Sequence, residues 1–131
     1  MAMRDRPLSP HLQVYRPMYT MVLSIAHRAA GLALSAGSLL LAWWLMAVAG
    51  GEAAYASAAD VFSAWPVKLV LTGFMLAFWY HLFAGLRHLA WDAGYGFARA
   101  QARNSGRLIV VLTVLGFVGG ALYWHFAGGG A

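Results

Sequence analysis

Three stretches of the chain carry no charged side chain and are long enough to cross a lipid bilayer. They cover residues 29–51, 69–86 and 108–131, which are 23, 18 and 24 residues long. A hydrocarbon core of about 30 Å requires about 20 helical residues. The second stretch reaches that length if Lys68 and Arg87 extend outward from its ends. Because unpaired strand edges are not tolerated in lipid, the sequence predicts an all-α membrane protein with three transmembrane helices in a bundle.

The composition supports lipid as the main solvent of this chain. Of its 131 residues, 62% are hydrophobic and 10% are charged, whereas about 25% of the residues in soluble domains are charged. The chain has no cysteine, which excludes an iron–sulfur cluster, a thiolate zinc site and a covalently attached c-type haem held by this chain alone. The net charge of +5 comes from basic side chains that are scattered along the chain. We therefore expect membrane lipid, and no nucleic acid, as a partner.

The arginines predict the orientation of the helices. Two segments carry them: the N-terminal segment and the connection over residues 93–107, with Arg4, Arg6 and Arg16 in the first and Arg99, Arg103 and Arg107 in the second. The connection over residues 51–63 and the C-terminal tail carry no Lys or Arg. The positive-inside rule then places the N-terminus in the cytoplasm and the C-terminus in the periplasm. We expect an interfacial arm over residues 1–21 and an anchor over 22–131, with helices at about 22–50, 63–92 and 105–127.

Ionisable residues near the ends of the spans are the candidate functional residues, since charge is costly in lipid. His81, Gly85 and His88 are spaced i, i+4 and i+7 and share one face of the second helix. Between the two histidines, Gly85 leaves a gap for a flat ligand. A haem b bound through His81 would suit this face, with its carboxylates near His27, Arg28, Arg87 or His88.

The residues alone leave other interpretations of the histidines open. His81 could instead form a hydrogen bond to a neighbouring helix. His27 and His88 lie at similar depth on different helices and could form a bis-histidine haem site within this chain.

The first helix presents a second set of polar residues on one face. Ser24, His27, Arg28 and Gly31 follow the spacing i, i+3, i+4 and i+7. The hydroxyl of Ser24 and the guanidinium of Arg28 could donate hydrogen bonds to the carbonyl groups of a quinone. The simpler interpretation of Arg28 is that it anchors the helix to phospholipid phosphates.

Three motifs carry a resemblance that covers nearly the whole chain. They are RPLSPHL at residues 6–12, SIAHR at 24–28 and HxxxGLRHLxWDxG at 81–94. With these motifs the chain resembles the cytochrome b subunits of succinate dehydrogenase, the larger of the two membrane anchors of respiratory complex II. Ala30 departs from the Ser or Thr that is usual in this family after the His-Arg pair.

The resemblance implies a role for each matching residue. His81 matches the axial ligand of haem b, whose second axial histidine belongs to the smaller anchor subunit. His27, Arg28 and His88 match positions around the haem propionates, and Ser24 and Arg28 match the ubiquinone site. The implied activity is the transfer of electrons from succinate to ubiquinone, by a complex that also contains a flavoprotein and an iron–sulfur subunit.

The resemblance also implies a cellular location, and two alternative functions remain open. The form of the 6–12 motif and the lack of a transit-like sequence favour a multi-pass protein of the bacterial inner membrane. Without cluster cysteines or a flavin motif, the chain alone should not oxidise succinate. The rival interpretations are another b-type membrane cytochrome and a non-redox membrane scaffold, in which the histidines only pack.

Overall fold

The computed structural model describes residues 16–128, and this part of the chain is helical throughout except for short connections. Its elements are α1 (Tyr19–Ala49), α2 (Glu52–Ser63), α3 (Trp65–Asp92), α4 (Arg99–Tyr123) and a π-helical turn (Trp124–Gly128). The 6–12 motif, Arg4 and Arg6 lie outside the described residues. By length and composition, α1, α3 and the helix from Arg99 to Ala127 can each cross a membrane. The prediction of an all-α protein with three spans is confirmed.

α3 is the central helix of the bundle and packs against both α1 and α4. Glycines allow these helices to approach closely. A Cβ atom at Gly37 of α1 would lie 3.2 Å from the ring of Phe74, and one at Gly116 of α4 would lie 2.6 Å from the ring of Trp79. Small residues at such contacts are typical of helix packing in membranes, where close approach replaces the hydrophobic effect as the source of association.

Both connections between the spans differ from those expected from the sequence. The connection over residues 51–63 contains the helix α2, whose alanines favour a helix. Gly51, with a φ of 90°, makes the turn into it. α4 begins at Arg99, so the arginines expected in a connection lie on its first turns. The turn before α4 has Gly94 and Gly96 at φ values of 88° and 86°, which favour glycine.

The bundle buries few side chains within itself. The buried apolar residues are mostly small: Leu23, Ala30, Ala47, Ala58, Ala84 and Ile109. Large apolar side chains are exposed along every helix. A surface of this kind requires lipid or the helices of other subunits around it.

The antiparallel helices bring three chain segments to one end of the bundle, here called the basic end. These are the start of α1, the end of α3 and the start of α4. Tyr80 of α3 donates a hydrogen bond of 2.7 Å to the backbone oxygen of Leu23, and a Cβ atom at Gly106 of α4 would lie 2.7 Å from Leu23 Cδ1. The candidate functional residues all lie toward this end.

Candidate functional site

Three histidine rings form a stack between α1 and α3. His27 of α1 lies between the two histidines of α3, with its ring centroid 4.2 Å from that of His81 and 4.6 Å from that of His88. The planes deviate from parallel by 21° and 19°, respectively. The structure therefore brings together the three histidines that the sequence analysis singled out.

Backbone hydrogen bonds orient the outer two rings of the stack. Nδ1 of His81 lies 3.2 Å from the backbone oxygen of His27, and Nδ1 of His88 lies 2.7 Å from the backbone oxygen of Ala84. A carbonyl oxygen only accepts, so Nδ1 donates in both cases. In the neutral ring, Nε2 then keeps its lone pair. A histidine that ligates a metal is usually held by the same kind of Nδ1 bond to a carbonyl group.

The central ring of the stack has an unsatisfied polar atom. Nε2 of His27 is buried and has no hydrogen-bond partner in the described part of the chain. It lies 4.0 Å from the position that a Cβ atom would take at Gly85. The His27 ring thus lies over Gly85, in the gap that the sequence analysis assigned to a flat ligand. Buried polar atoms usually have a partner, so this nitrogen indicates one outside residues 16–128.

Two glycines border the stack, and their surroundings differ. A Cβ atom at Gly31 would lie 2.9 Å from Cε1 of His81, closer than two carbon atoms approach in contact. The His81 ring can reach the His27 carbonyl only because residue 31 has no side chain. A Cβ atom at Gly85 would make only an ordinary contact of 4.0 Å with the His27 ring. Packing within this chain therefore explains the glycine at residue 31 but not the one at residue 85, where the His27 ring fills the gap that was expected to take a flat ligand.

Ser24 and Arg28 lie one turn apart on α1, near the histidine stack. Ser24 is half-buried and Arg28 is exposed. Neither makes a hydrogen bond or an ion pair with another residue in the range 16–128. Their donor groups therefore have no acceptor among these residues.

Arg87 corrects two expectations from the sequence. It does not extend outward from the helix, because only 8% of it is exposed, and it does not join the histidines. Its Nε donates a hydrogen bond of 3.0 Å to Ser105 Oγ, and its Nη2 donates one of 2.8 Å to the backbone oxygen of Ala102. The reason is helical geometry: at about 100° per residue, Arg87 faces about 120° away from His81, toward α4.

Two side chains near the site were given no role from the sequence, although Trp91 is part of the 81–94 motif. Trp91 connects the two faces of α3, since its ring lies 5.2 Å edge-on from that of His88 and 4.0 Å from the guanidinium carbon of Arg87. Tyr80 fixes α3 to α1 next to the stack through its bond to Leu23. The spacing gave a signal for Trp91, which is one turn from both His88 and Arg87. Tyr80 gave none, because an aromatic residue in a span is expected to pack.

The stack does not form a metal centre by itself. In the described part of the chain, no group of three or more His, Asp or Glu residues could hold a metal ion. A haem requires less of the protein, because the porphyrin supplies the equatorial nitrogens and the chain supplies only axial ligands. The oriented ring of His81 and the unsatisfied Nε2 of His27 fit such a group.

Comparisons with known proteins agree with the resemblance found in the motifs. The chain is 48% identical over 111 residues to the succinate dehydrogenase cytochrome b556 subunit of Paracoccus denitrificans, and the aligned region covers 85% of each chain. It is 39% identical over 110 residues to the subunit of that name in Rickettsia prowazekii, covering 84% of this chain and 86% of the relative.

A mitochondrial protein is similar as well. The succinate dehydrogenase cytochrome b560 subunit of Sus scrofa is 37% identical over 117 residues, covering 88% of this chain and 69% of the relative. The family model of the succinate dehydrogenase/fumarate reductase transmembrane subunit matches residues 3–120. With this match over most of its length, three apolar helices and the motif histidines gathered between α1 and α3, the chain belongs to the family of succinate dehydrogenase and fumarate reductase transmembrane subunits.

Proposed function

We propose that this chain is a membrane-anchor subunit of succinate:ubiquinone oxidoreductase that binds haem b and contributes to the site of ubiquinone reduction. The observation that carries the proposal is the hydrogen bond of 3.2 Å from His81 Nδ1 to the His27 carbonyl. It presets the imidazole as an iron ligand through Nε2. Membership in the family and the names of the relatives support the same function.

The histidine stack is the proposed haem site. His81 would hold the haem iron through Nε2, together with a histidine of the smaller anchor subunit. For the macrocycle to lie beside Gly85, the His27 ring would have to turn away, and His27, His88 and Arg28 would then provide hydrogen bonds and positive charge for the two propionates. When bound, haem b accepts and releases single electrons.

The donors of Ser24 and Arg28 form the proposed ubiquinone site on this chain. Reduction of the quinone to the quinol takes two electrons and two protons. The electrons come from the iron–sulfur subunit, since this chain has no cysteine to hold a cluster. The hydroxyl of Ser24 and the guanidinium of Arg28 hold the carbonyl oxygens in position, and the fixed positive charge stabilises negative charge that develops on them before protons arrive.

The basic end of the bundle is the proposed cytoplasmic side. Arg16 precedes α1, and Arg99, Arg103 and Arg107 lie on the first turns of α4 at this end. By the positive-inside rule these residues face the cytoplasm of a bacterium, with the C-terminus in the periplasm. The flavoprotein and the iron–sulfur subunit then dock next to Ser24 and Arg28. Succinate oxidation takes place on these partners and not on this chain.

The test separates quinone reduction from succinate oxidation in the purified complex. The variants Ser24→Ala and Arg28→Leu should lower succinate-driven ubiquinone reduction by at least tenfold, because each removes a donor to the quinone. Succinate oxidation coupled to a soluble dye should stay at the wild-type rate. Ser57→Ala, an exposed serine on α2, is the matched control and should change neither rate.

Two results would contradict the proposed roles. Wild-type ubiquinone reduction in both variants would show that neither residue binds the quinone. Loss of both activities together would show that Ser24 and Arg28 act in assembly of the complex instead.

A further inference from the structure

Arg87 is a buried cation whose charge has no partner in the described part of the chain. Only 8% of the residue is exposed. Of the five N–H groups of its guanidinium, one bonds to Ser105 Oγ and one to the Ala102 carbonyl. The remaining three have no acceptor among residues 16–128, and the face of Trp91 covers the guanidinium carbon at 4.0 Å.

No carboxylate neutralises this charge within residues 16–128. The acids in that range are Glu52, Asp60 and Asp92, all of which are exposed and none of which forms an ion pair with Arg87. A charged residue inside a membrane protein is costly unless it is paired. The buried guanidinium therefore indicates an anion that comes from outside this part of the chain.

A groove of about 280 Å³ leads from Arg87 along the contact between α3 and α4. Its walls are apolar, formed by Phe83, Leu86, Ala90, Leu108, Ile109 and Leu112. Arg87 and Ser105 form its polar part, with Trp91 and Tyr95 beside them. Both helices are spans, so the groove lies within the depth of the membrane. The His27, His81 and His88 stack lies on another face of α3 and takes no part in it.

We propose that this groove binds one anionic phospholipid. The phosphate accepts hydrogen bonds from the free N–H groups of Arg87, and an acyl chain lies along the apolar walls. Trp91 and the exposed Tyr95 lie beside the cation, as amphipathic rings do at the level of lipid headgroups. A free phosphate ion would satisfy Arg87 but would leave the walls uncovered, so the lipid is the occupant that matches both parts of the groove.

The first experiment measures the effect of lipids on thermal stability. The complete complex is stripped of lipid in detergent, and its melting temperature is followed as phosphatidylglycerol, phosphatidylcholine or inorganic phosphate is added. Only phosphatidylglycerol should raise the melting temperature. Arg87→Gln should weaken its apparent affinity by at least tenfold, since it removes a charge-assisted contact. The matched control is Arg107→Gln, an exposed arginine on α4 that does not line the groove, and it should respond as the wild type does.

Two outcomes of that titration would overturn the proposal. An equal response of the wild type to phosphatidylcholine would show that charge does not select the lipid. An equal response to inorganic phosphate would show that the groove holds a free ion instead of a lipid.

A second measurement does not depend on folding of the Arg87 variant. A photoreactive residue replaces Leu108, which lines the groove, in the otherwise wild-type complex, and the same residue at Leu115 serves as the exposed control. Crosslinking from residue 108 to an anionic phospholipid, in excess over residue 115, is the expected result. Crosslinking from residue 108 to a protein chain would show that a partner subunit covers the groove, and it would refute the lipid site.

Discussion

The substitution Gly31→Ala tests the link between helix packing and the haem ligand. A methyl group at residue 31 would lie 2.9 Å from Cε1 and 3.4 Å from Nδ1 of His81. Carbon atoms in contact are about 3.5–4.0 Å apart, so the His81 ring must retreat from α1 by roughly 0.5–1 Å. Its hydrogen bond to the His27 carbonyl is already 3.2 Å long. Because His27 precedes Gly31 by one turn of α1, a retreat from Gly31 also lengthens that bond.

The size of the effect follows from the contacts that are lost. Extra volume in a packed interior costs about 1–3 kcal/mol. Loss of the carbonyl bond also removes the preference for the tautomer that presents Nε2, and changes of this type lower metal affinity by about 10–100-fold. We expect Gly31→Ala to reduce the haem content of the complex and to lower its melting temperature.

The assay is the ratio of haem to protein in the purified complex, together with the reduced-minus-oxidised visible spectrum. Gly73→Ala is the matched control, because Gly73 lies on α3 and a Cβ atom there would meet nothing within 4 Å. Its haem content should equal that of the wild type. If Gly31→Ala retained full haem content and an unchanged spectrum, the reasoning that connects residue 31 to His81 would be refuted.

Two further substitutions test the packing around α3. Gly116→Ala places a methyl group 2.6 Å from the ring of Trp79 and should destabilise the complex by about 1–3 kcal/mol in thermal unfolding. Its control is Gly119→Ala, because a Cβ atom at Gly119 would meet nothing within 4 Å. Equal melting temperatures for the two variants would contradict the prediction. Tyr80→Phe removes the 2.7 Å bond to Leu23 and should cost about 0.6–1.7 kcal/mol, as interhelical bonds in membranes do. A melting temperature equal to the wild-type value would show that this bond does not join α1 to α3.

The three spans could be predicted from the sequence because lipid imposes a simple rule of length and polarity. The helix α2 could not, since Gly51, Glu52 and Asp60 give residues 51–63 the composition of a connection. The contacts that hold this helix in place come from the aromatic residues of the segment. Phe62 stacks on Trp43 with 5.3 Å between ring centroids and contacts Trp44 edge-on at 5.0 Å, so α2 packs back onto α1.

The candidate site was predictable in its members but not in its arrangement. Helical spacing places His81 and His88 on one face of α3. The position of His27 in its own span predicts that it lies at a similar depth in the membrane. Spacing within single helices cannot show that the His27 ring lies between the other two, because that depends on how closely α1 and α3 approach. The geometry of one helix was sufficient to exclude Arg87 from the site, since a residue six positions after His81 faces another neighbour.

The central claim is that His81 of this chain ligates the haem iron, and the visible spectrum of a His81→Leu complex tests it most directly. His125→Leu, at the far end of the chain from the stack, provides the control and should keep the wild-type spectrum. With His81 replaced, we predict that the low-spin b-type spectrum is lost while dye-coupled succinate oxidation continues. An unchanged low-spin b-type spectrum in that variant would contradict the assignment.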